Sequence, residues 1–375
     1  MKKILHLTHT DVRSDSRILK EMESAYSNGY SVHGVGIRLN EGTKNINCDN
    51  YNIVILNINS KKLIFLPAFL RHFFTLIEFF IKSIFHSLKI KPDLIHCNDT
   101  LVFPVGVFVK IFTKAKLVYD AHELESDRNG LSKLLGKATL FVEKALWRFV
   151  DGLIVVSPSI KQWYLSNIGY KESSVVLNSP IFKEINSQNK DYLRDKFLIP
   201  KDNNVFIYVG ILGAGRGIDV VLEAFKEKPE AHLVFLGYGE YYDELKSLEA
   251  TYSNVHVHDA VEHSKVVEVV SSADVGLCLI ENVSLSDYYC LPNKLFEYAF
   301  AGLPVLASNF PDISKVVSDY SLGFCTDLDE KSIRNGIEKF ETGQYVYAVD
   351  NCKLADLSWA KQESNLISLY KKVLK

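Results

Sequence analysis

Three stretches of the chain hold polar residues at spacings that suit chemistry. In LPNKLFEYAFAGLPV, residues 291–305, Lys294 and Glu297 stand three positions apart in an otherwise apolar segment. Pro292 suits a first helical turn, Gly302 the C′ position and Pro304 the restart of an extended strand, so a helix of about nine residues is predicted here. Its free N–H groups at Asn293 and Lys294 suit a diphosphate, and Glu297, one turn deeper, suits two vicinal hydroxyls such as those of a ribose. The second stretch is VFIYVGILGAGRG, where Gly210, Gly213, Gly215 and Gly217 surround Arg216 between a strand pattern and a helix pattern. Glycines admit an anion close to the backbone and a guanidinium clamps phosphate oxygens. The Walker Lys-Ser/Thr pair is missing, and so is the final glycine of a dinucleotide fingerprint. In the third, FLGYGE, Gly237 and Gly239 leave room for a flat base or a phosphate. Asp327-Leu-Asp329 spells a D-x-D cation motif, but it precedes the helical pattern EKSIRNGIEKF, where aspartate is an ordinary cap, so no metal is expected.

The elements that must position these residues alternate along the chain. Apolar runs of strand length alternate with longer helical patterns, seven runs in the first half (KILHLTH to SVVLNSP) and six in the second (VFIYVGI to LGFCTDL). That order predicts an α/β fold with two Rossmann-like domains, each a parallel sheet wound with helices, facing a central cleft. The expected domains are residues 1–182 and 183–356, with 357–375 forming a terminal amphipathic helix that crosses back to the first domain. Ligands of open parallel sheets bind beyond the carboxyl ends of the strands. The first half places Asn98-Asp99 and His122-Glu123 at such ends.

At 375 residues the chain is long for one core, and 47% hydrophobic against 23% charged residues marks it as globular. The net charge of −2 divides unevenly: 23 Lys+Arg against 16 Asp+Glu through Pro180 leaves +7, and 20 against 29 in the remainder leaves −9. The basic half is the one suited to an anionic partner. Six cysteines without a C-x-x-C pair read as free thiols of a reducing compartment, and MKKILHLTHTDV reads as a first strand rather than a signal peptide. The segment KKLIFLPAFLRHFFTLIEFFIKSIFHSLKIKPD is rich in Phe, Leu and Ile. Arg71, Glu78, Lys82 and Lys89 interrupt it short of the ~18 uncharged residues of a membrane span, so it reads as a helix pair on a sheet or as an interfacial segment.

YVGILGAGRG, FLGYGE, SSADVGLCLI and LPNKLFEYAFAGLPVLAS resemble the nucleotide-sugar half of retaining family 4 glycosyltransferases with GT-B architecture. THTDVRSDSRILKEMESAYSNGYSV, DLIHCND and VYDAHELESD resemble the acceptor half of bacterial members. The resemblance implies a nucleoside diphosphate sugar donor, no metal or other cofactor, and no nucleic-acid partner. It makes His122, Arg216, Lys294 and Glu297 the expected catalytic residues. Gly210, Gly213, Gly237, Gly239, Val261, Tyr289 and Asn293 join Arg216, Lys294 and Glu297 in donor binding, and Asp99, His122 and Glu123 lie on the acceptor side. Two positions depart from the family: Tyr289 stands where it has its first Glu, and Ile211 where an Arg usually follows the first glycine of the loop. With the basic, aromatic segment of the first half, the resemblance implies a lipid-linked glycan acceptor, a role in O-antigen or capsule synthesis, and a cytoplasmic enzyme touching anionic lipid. Two other readings share the architecture: a nucleotide-sugar epimerase and a non-catalytic, nucleotide-sugar-binding partner subunit.

Overall fold

The computed structural model describes residues 1–38, 50–181, 190–344, 349 and 351–375, without the side chains of 351 and 352. Cys48, the side chain of Cys352 and the predicted boundary at 182 lie outside the described residues. Contacts divide the chain into one unit of Met1–Val176 with Gln362–Lys375 and a second of Leu177–Lys361.

The first unit holds β1 (Lys3–Leu7), β2 (Ser31–Ile37), β3 (Asn52–Leu56), β4 (Leu94–Asn98), β5 (Lys116–Ala121), β6 (Gly152–Val155) and β7 (Glu172–Val175). They pair in parallel in the order β3-β2-β1-β4-β5-β6-β7. The second holds β8 (Asn204–Ile211), β9 (Ala231–Tyr238), β10 (Val255–Asp259), β11 (Val275–Cys278), β12 (Val305–Ser308) and β13 (Gly323–Thr326), parallel in the order β10-β9-β8-β11-β12-β13. Central strands such as AHLVFLGY are apolar almost throughout because helices cover both faces of a parallel sheet. Each strand order reverses once, between β1 and β4 and between β8 and β11, and a reversal opens a crevice at the carboxyl ends.

At the second reversal, β8 and β11 pair through only two residues each, Phe206 with Val275 and Ile207 with Gly276. Beyond them the strands part, and the Tyr298 hydroxyl fills the gap, accepting from the Val209 N–H at 2.9 Å and donating to the Leu277 carbonyl at 3.2 Å. The Tyr298 ring lies over Gly276, where a Cβ would meet it at 2.3 Å. Glycine is required there for the ring to reach its place.

Local signals end the helices where expected. Asp15 accepts from the N–H groups of Arg17 and Ile18, and Ser157 caps a helix that starts on Pro158. Asp329 of the D-x-D motif accepts from the Ser332 N–H and caps Glu330–Glu341. The final helix, Trp359–Val373, belongs to the first unit from Gln362 onward, and Leu366, Ile367 and Tyr370 are buried in it.

Residues 68–90 form one helix, Ala68–Ile90, rather than a pair. Pro67 starts it and no Gly or Pro breaks it before Pro92. It turns Phe79, Ser83 and Ser87 inward, while Phe69, Phe73, Ile77, Ile81 and Phe85, spaced four apart, are exposed. Among the described residues, no helix is long and apolar enough to cross a membrane.

Candidate functional site

In the second unit, the ends of β8 and β9 line a cavity of about 500 Å³. Its floor is backbone. Gly237 of β9 lies so close to β8 that a Cβ would stand 1.9 Å from the Gly210 carbonyl oxygen, and Gly239 would meet the Leu212 carbonyl at 2.2 Å. Any side chain at 237 or 239 would push the two strand ends apart.

The helix predicted from LPNKLFEY runs over Asn293–Phe300, with Pro292 in the capping position and Gly302 at φ 75° after its end. Asn293, Lys294 and Glu297 line the cavity from this helix, Gly210, Arg216 and Gly237 from the strand ends, and Val261 from the loop after β10. Glu297 is buried, with His263 Nδ1 3.7 Å from its Oε1. The Lys294 ammonium sits 3.6 Å over the ring of Tyr208, and the Tyr208 hydroxyl donates to the Arg216 carbonyl at 3.3 Å. Two cations and a helix N-terminus at one end, with a buried carboxylate deeper in, suit a ligand bearing phosphates and a vicinal diol.

Three predicted donor residues are not among those lining the cavity. Gly213 packs against the Glu240 side chain, Gly239 lies beneath the floor against Leu212, and the Tyr289 ring faces Tyr288 at 5.4 Å. The glycine loop also differs from expectation in its free N–H groups. Ala214 N–H donates to Glu240 at 3.0 Å and Gly217 N–H to Glu281 at 3.0 Å, so two carboxylates occupy amides that the sequence alone offers to phosphate. The roles of Tyr208, His263, Glu240 and Glu281 are not read from sequence: a tyrosine inside a strand pattern looks like core, His263 opens a helix, Glu240 closes FLGYGE without a role of its own, and Glu281 follows a strand.

In the first unit, the reversal between β1 and β4 carries a charged cluster. Asp120, fully buried at the end of β5, takes two bonds from Arg17 Nη2 at 3.0 and 3.1 Å. His96 Nε2 lies 3.1 Å from Asp120 Oδ2, and His122 Nε2 3.3 Å from it. Arg17 Nε also stands 3.0 Å from buried Glu21, and its Nη1 donates to the Val176 carbonyl at 2.9 Å. From the terminal helix, the Tyr370 hydroxyl hydrogen-bonds His96 Nδ1. His6, Glu21 and His96, like Glu21, Asp120 and His122, bring metal-ligating atom types within 4.8 Å. Arg17 contacts both carboxylates, so the positive charge they need stands there already as a guanidinium.

Asp99 spans His122 Nδ1 at 3.5 Å and His9 Nδ1 at 3.4 Å. Its backbone lies at φ 76°, ψ 162°, a region that side chains other than glycine's avoid and that is typical of functional sites. The next residue, Thr100, holds the turn by bonding the Tyr119 hydroxyl at 2.6 Å, and Tyr119 and Tyr164 both donate to buried Glu143. Although burial opposes charge on His122, Asp99 and Asp120 raise its pKa to about 10, so it stands as an imidazolium. Burial raises Asp120 too, but Arg17 and then His122 outweigh it and hold this carboxyl well below the usual range. Of the two glutamates in HELE, Glu123 is exposed; the buried acid whose pKa feels Asp99 is Glu125.

Residues 28–180 match the family model described as Glycosyltransferase Family 4, and residues 189–353 match Glycosyl transferases group 1. An uncharacterized glycosyltransferase of Methanocaldococcus jannaschii is 25% identical over 69% of this chain and 69% of its own length. The chitobiosyldiphosphodolichol beta-mannosyltransferase of Candida albicans is 24% identical over 60% of this chain, which spans about half (53%) of that enzyme. The Anabaena protein HepE, solved in complex with UDP and glucose, superposes with a TM-score of 0.71 over 100% of this chain and 98% of its own, at 15% identity.

Proposed function

Because the chain belongs to the GT-B glycosyltransferases of family 4, we propose that it is a retaining, metal-independent enzyme that moves a sugar from a nucleoside diphosphate to a hydroxyl of a lipid-linked glycan. The observation that carries this reading is the cavity at the ends of β8 and β9, where Arg216, Lys294 and the N-terminus of Asn293–Phe300 stand together with buried Glu297. The two cations and the helix end take the diphosphate, and Glu297 takes the ribose hydroxyls. The backbone near Val261 reads the base. In the transfer, the bond from the anomeric carbon to the phosphate oxygen breaks and a bond to the acceptor oxygen forms on the same face. The acceptor's proton passes to the departing diphosphate oxygen. Arg216 and Lys294 stabilise the charge that develops there, which is electrostatic catalysis. His122, held as an imidazolium by Asp99 and Asp120, serves the transferred sugar.

HepE's complex with UDP and glucose makes UDP-glucose the first donor to try, followed by GDP- and dTDP-sugars. Thermal stabilisation by one of these, then transfer with retained anomeric configuration in the presence of a chelator, is expected. Arg216→Ala and Glu297→Ala should each abolish turnover; full activity in either sinks the assignment.

The acceptor is proposed to be lipid-linked because the exposed row Phe69, Phe73, Ile77, Ile81 and Phe85 is flanked by exposed Lys61, Lys62, Lys89 and Lys91. An apolar stripe bordered by basic side chains suits the interface of an anionic bilayer, here the inner face of a cell membrane during surface-polysaccharide synthesis. The chain should float with vesicles containing anionic lipid and not with neutral ones. Phe69→Ser with Phe73→Ser should remove that binding; equal flotation with both vesicle types counts against it.

A further inference from the structure

We infer that Tyr208 is a positioning residue that presents the Lys294 ammonium of the donor cavity to a diphosphate and anchors the backbone of the loop that carries Arg216. This rests on the reading of that cavity as a nucleoside diphosphate site. Among the described residues, neither Arg216 nor Lys294 forms an ion pair with a carboxylate, although Glu297 stands one helical turn from Lys294. One side chain touches Lys294 directly and Arg216 through its main chain. Tyr208, 1% exposed in β8, places its ring 3.6 Å beneath the Lys294 ammonium and its hydroxyl 3.3 Å from the Arg216 carbonyl oxygen.

The two contacts do different work. A cation over the face of a ring is attracted to its π-electrons yet keeps its N–H bonds on the far side for another partner, which a carboxylate would have occupied. The ring therefore fixes a flexible lysine stem before an anion arrives and leaves its charge uncancelled. The hydroxyl, from the same ring, pins the loop of Gly213, Gly215 and Gly217 at Arg216, a loop whose glycines at 215 and 217 adopt φ 74° and 73°. Neighbouring aromatics of this core, Phe206, Phe225 and Phe235, have no hydroxyl to offer. The tyrosine at 208 is thus more than packing: it ties the Lys294 ammonium to the loop backbone at Arg216.

The test compares nucleoside diphosphates with their monophosphates (UDP with UMP, GDP with GMP, ADP with AMP) by calorimetric titration, so that the second phosphate is isolated. The wild type should prefer one diphosphate over its monophosphate. Tyr208→Leu should cut that preference roughly ten- to hundredfold, the range of a lost charge-assisted bond, and leave monophosphate binding nearly unchanged. Tyr208→Phe, which keeps the ring, should lose a smaller part. If the ring acts through Lys294, Tyr208→Leu added to Lys294→Met should weaken diphosphate binding no further than Lys294→Met alone. An unaltered diphosphate preference in Tyr208→Leu, or full additivity in the double variant, overturns the inference. A wild type that binds no nucleoside diphosphate overturns the site reading itself, and the inference with it.

Discussion

Arg17 offers the sharpest test of how the charged cluster in the first unit is held. Its side chain is 3% exposed; it donates twice to Asp120 and once to the Val176 carbonyl, and it forms an ion pair with Glu21 at 3.0 Å. Arg17→Met keeps much of the volume and removes all four contacts, leaving Asp120 charged and fully buried with only histidines for partners. Removing one member of a buried ion pair costs about 3–5 kcal/mol, because the other charge stays desolvated. For a unit of this size, 1 kcal/mol moves the melting temperature by about 2–4 °C, so a fall of about 6–20 °C is expected. Scanning calorimetry suits the measurement because it resolves the transitions of a two-unit chain. Arg17→Met with Asp120→Asn should melt above the sum of the two single losses, since the stranded charge is gone. A fall below about 3 °C for Arg17→Met, or strict additivity of the pair, would refute the claim that these groups hold one another.

Three further outcomes are expected. His122 has a folded pKa raised from 6.5 to about 10, so the stability it contributes is complete below pH 6.5 and is lost as pH climbs toward 10. Melting scans between pH 7 and 10 should fall more steeply for the wild type than for His122→Gln, and parallel slopes would contradict the assignment. Asp99→Gly should be more stable than Asp99→Ala by about 1–3 kcal/mol, because alanine must adopt the same positive φ that glycine takes freely; equal melting temperatures would remove the strain argument. Gly237→Ala places a Cβ 1.9 Å from a carbonyl oxygen, so nucleotide-induced thermal stabilisation should vanish while the first unit's transition stays put; retained stabilisation would mean that the floor yields.

Much of the architecture is legible in the residues because parallel strands announce themselves as apolar runs: each of the thirteen runs overlaps a strand, although SVVLNSP shares only Ser174 and Val175 with β7. The cavity of the second unit is legible for a related reason: several of its lining residues, Gly210, Gly237, Asn293, Lys294 and Glu297, stand in the glycine-bearing strand ends and the Pro-bounded helix that the sequence marks. What stays hidden is whatever depends on direction or on distant partners. The helical period of residues 68–90 is plain, but nothing in it says that Ser83 and Ser87 turn inward with Phe79 while Phe69, Phe73 and Phe85 turn outward. Arg17 and Asp120, 103 residues apart, look like an ordinary helix charge and a strand-end polar residue until the sheet order puts β1, β4 and β5 side by side. Glu240 and Glu281 read as loop acids, and their hold on the glycine loop follows only from the tertiary fold.

A floor made of main chain has an evolutionary consequence. At 210 and 237 the cavity shows a ligand no side chain, and at 237 the neighbouring Gly210 carbonyl forbids acquiring one. Preference among donors has no letters to vary there. Descendants of this sequence can retune the pocket from its walls, as at Val261, His263 and Val266, where side chains line the cavity. A library that keeps the glycines and randomises those three wall positions samples the diversity that the fold permits, and one that randomises the floor mostly samples unfolded protein.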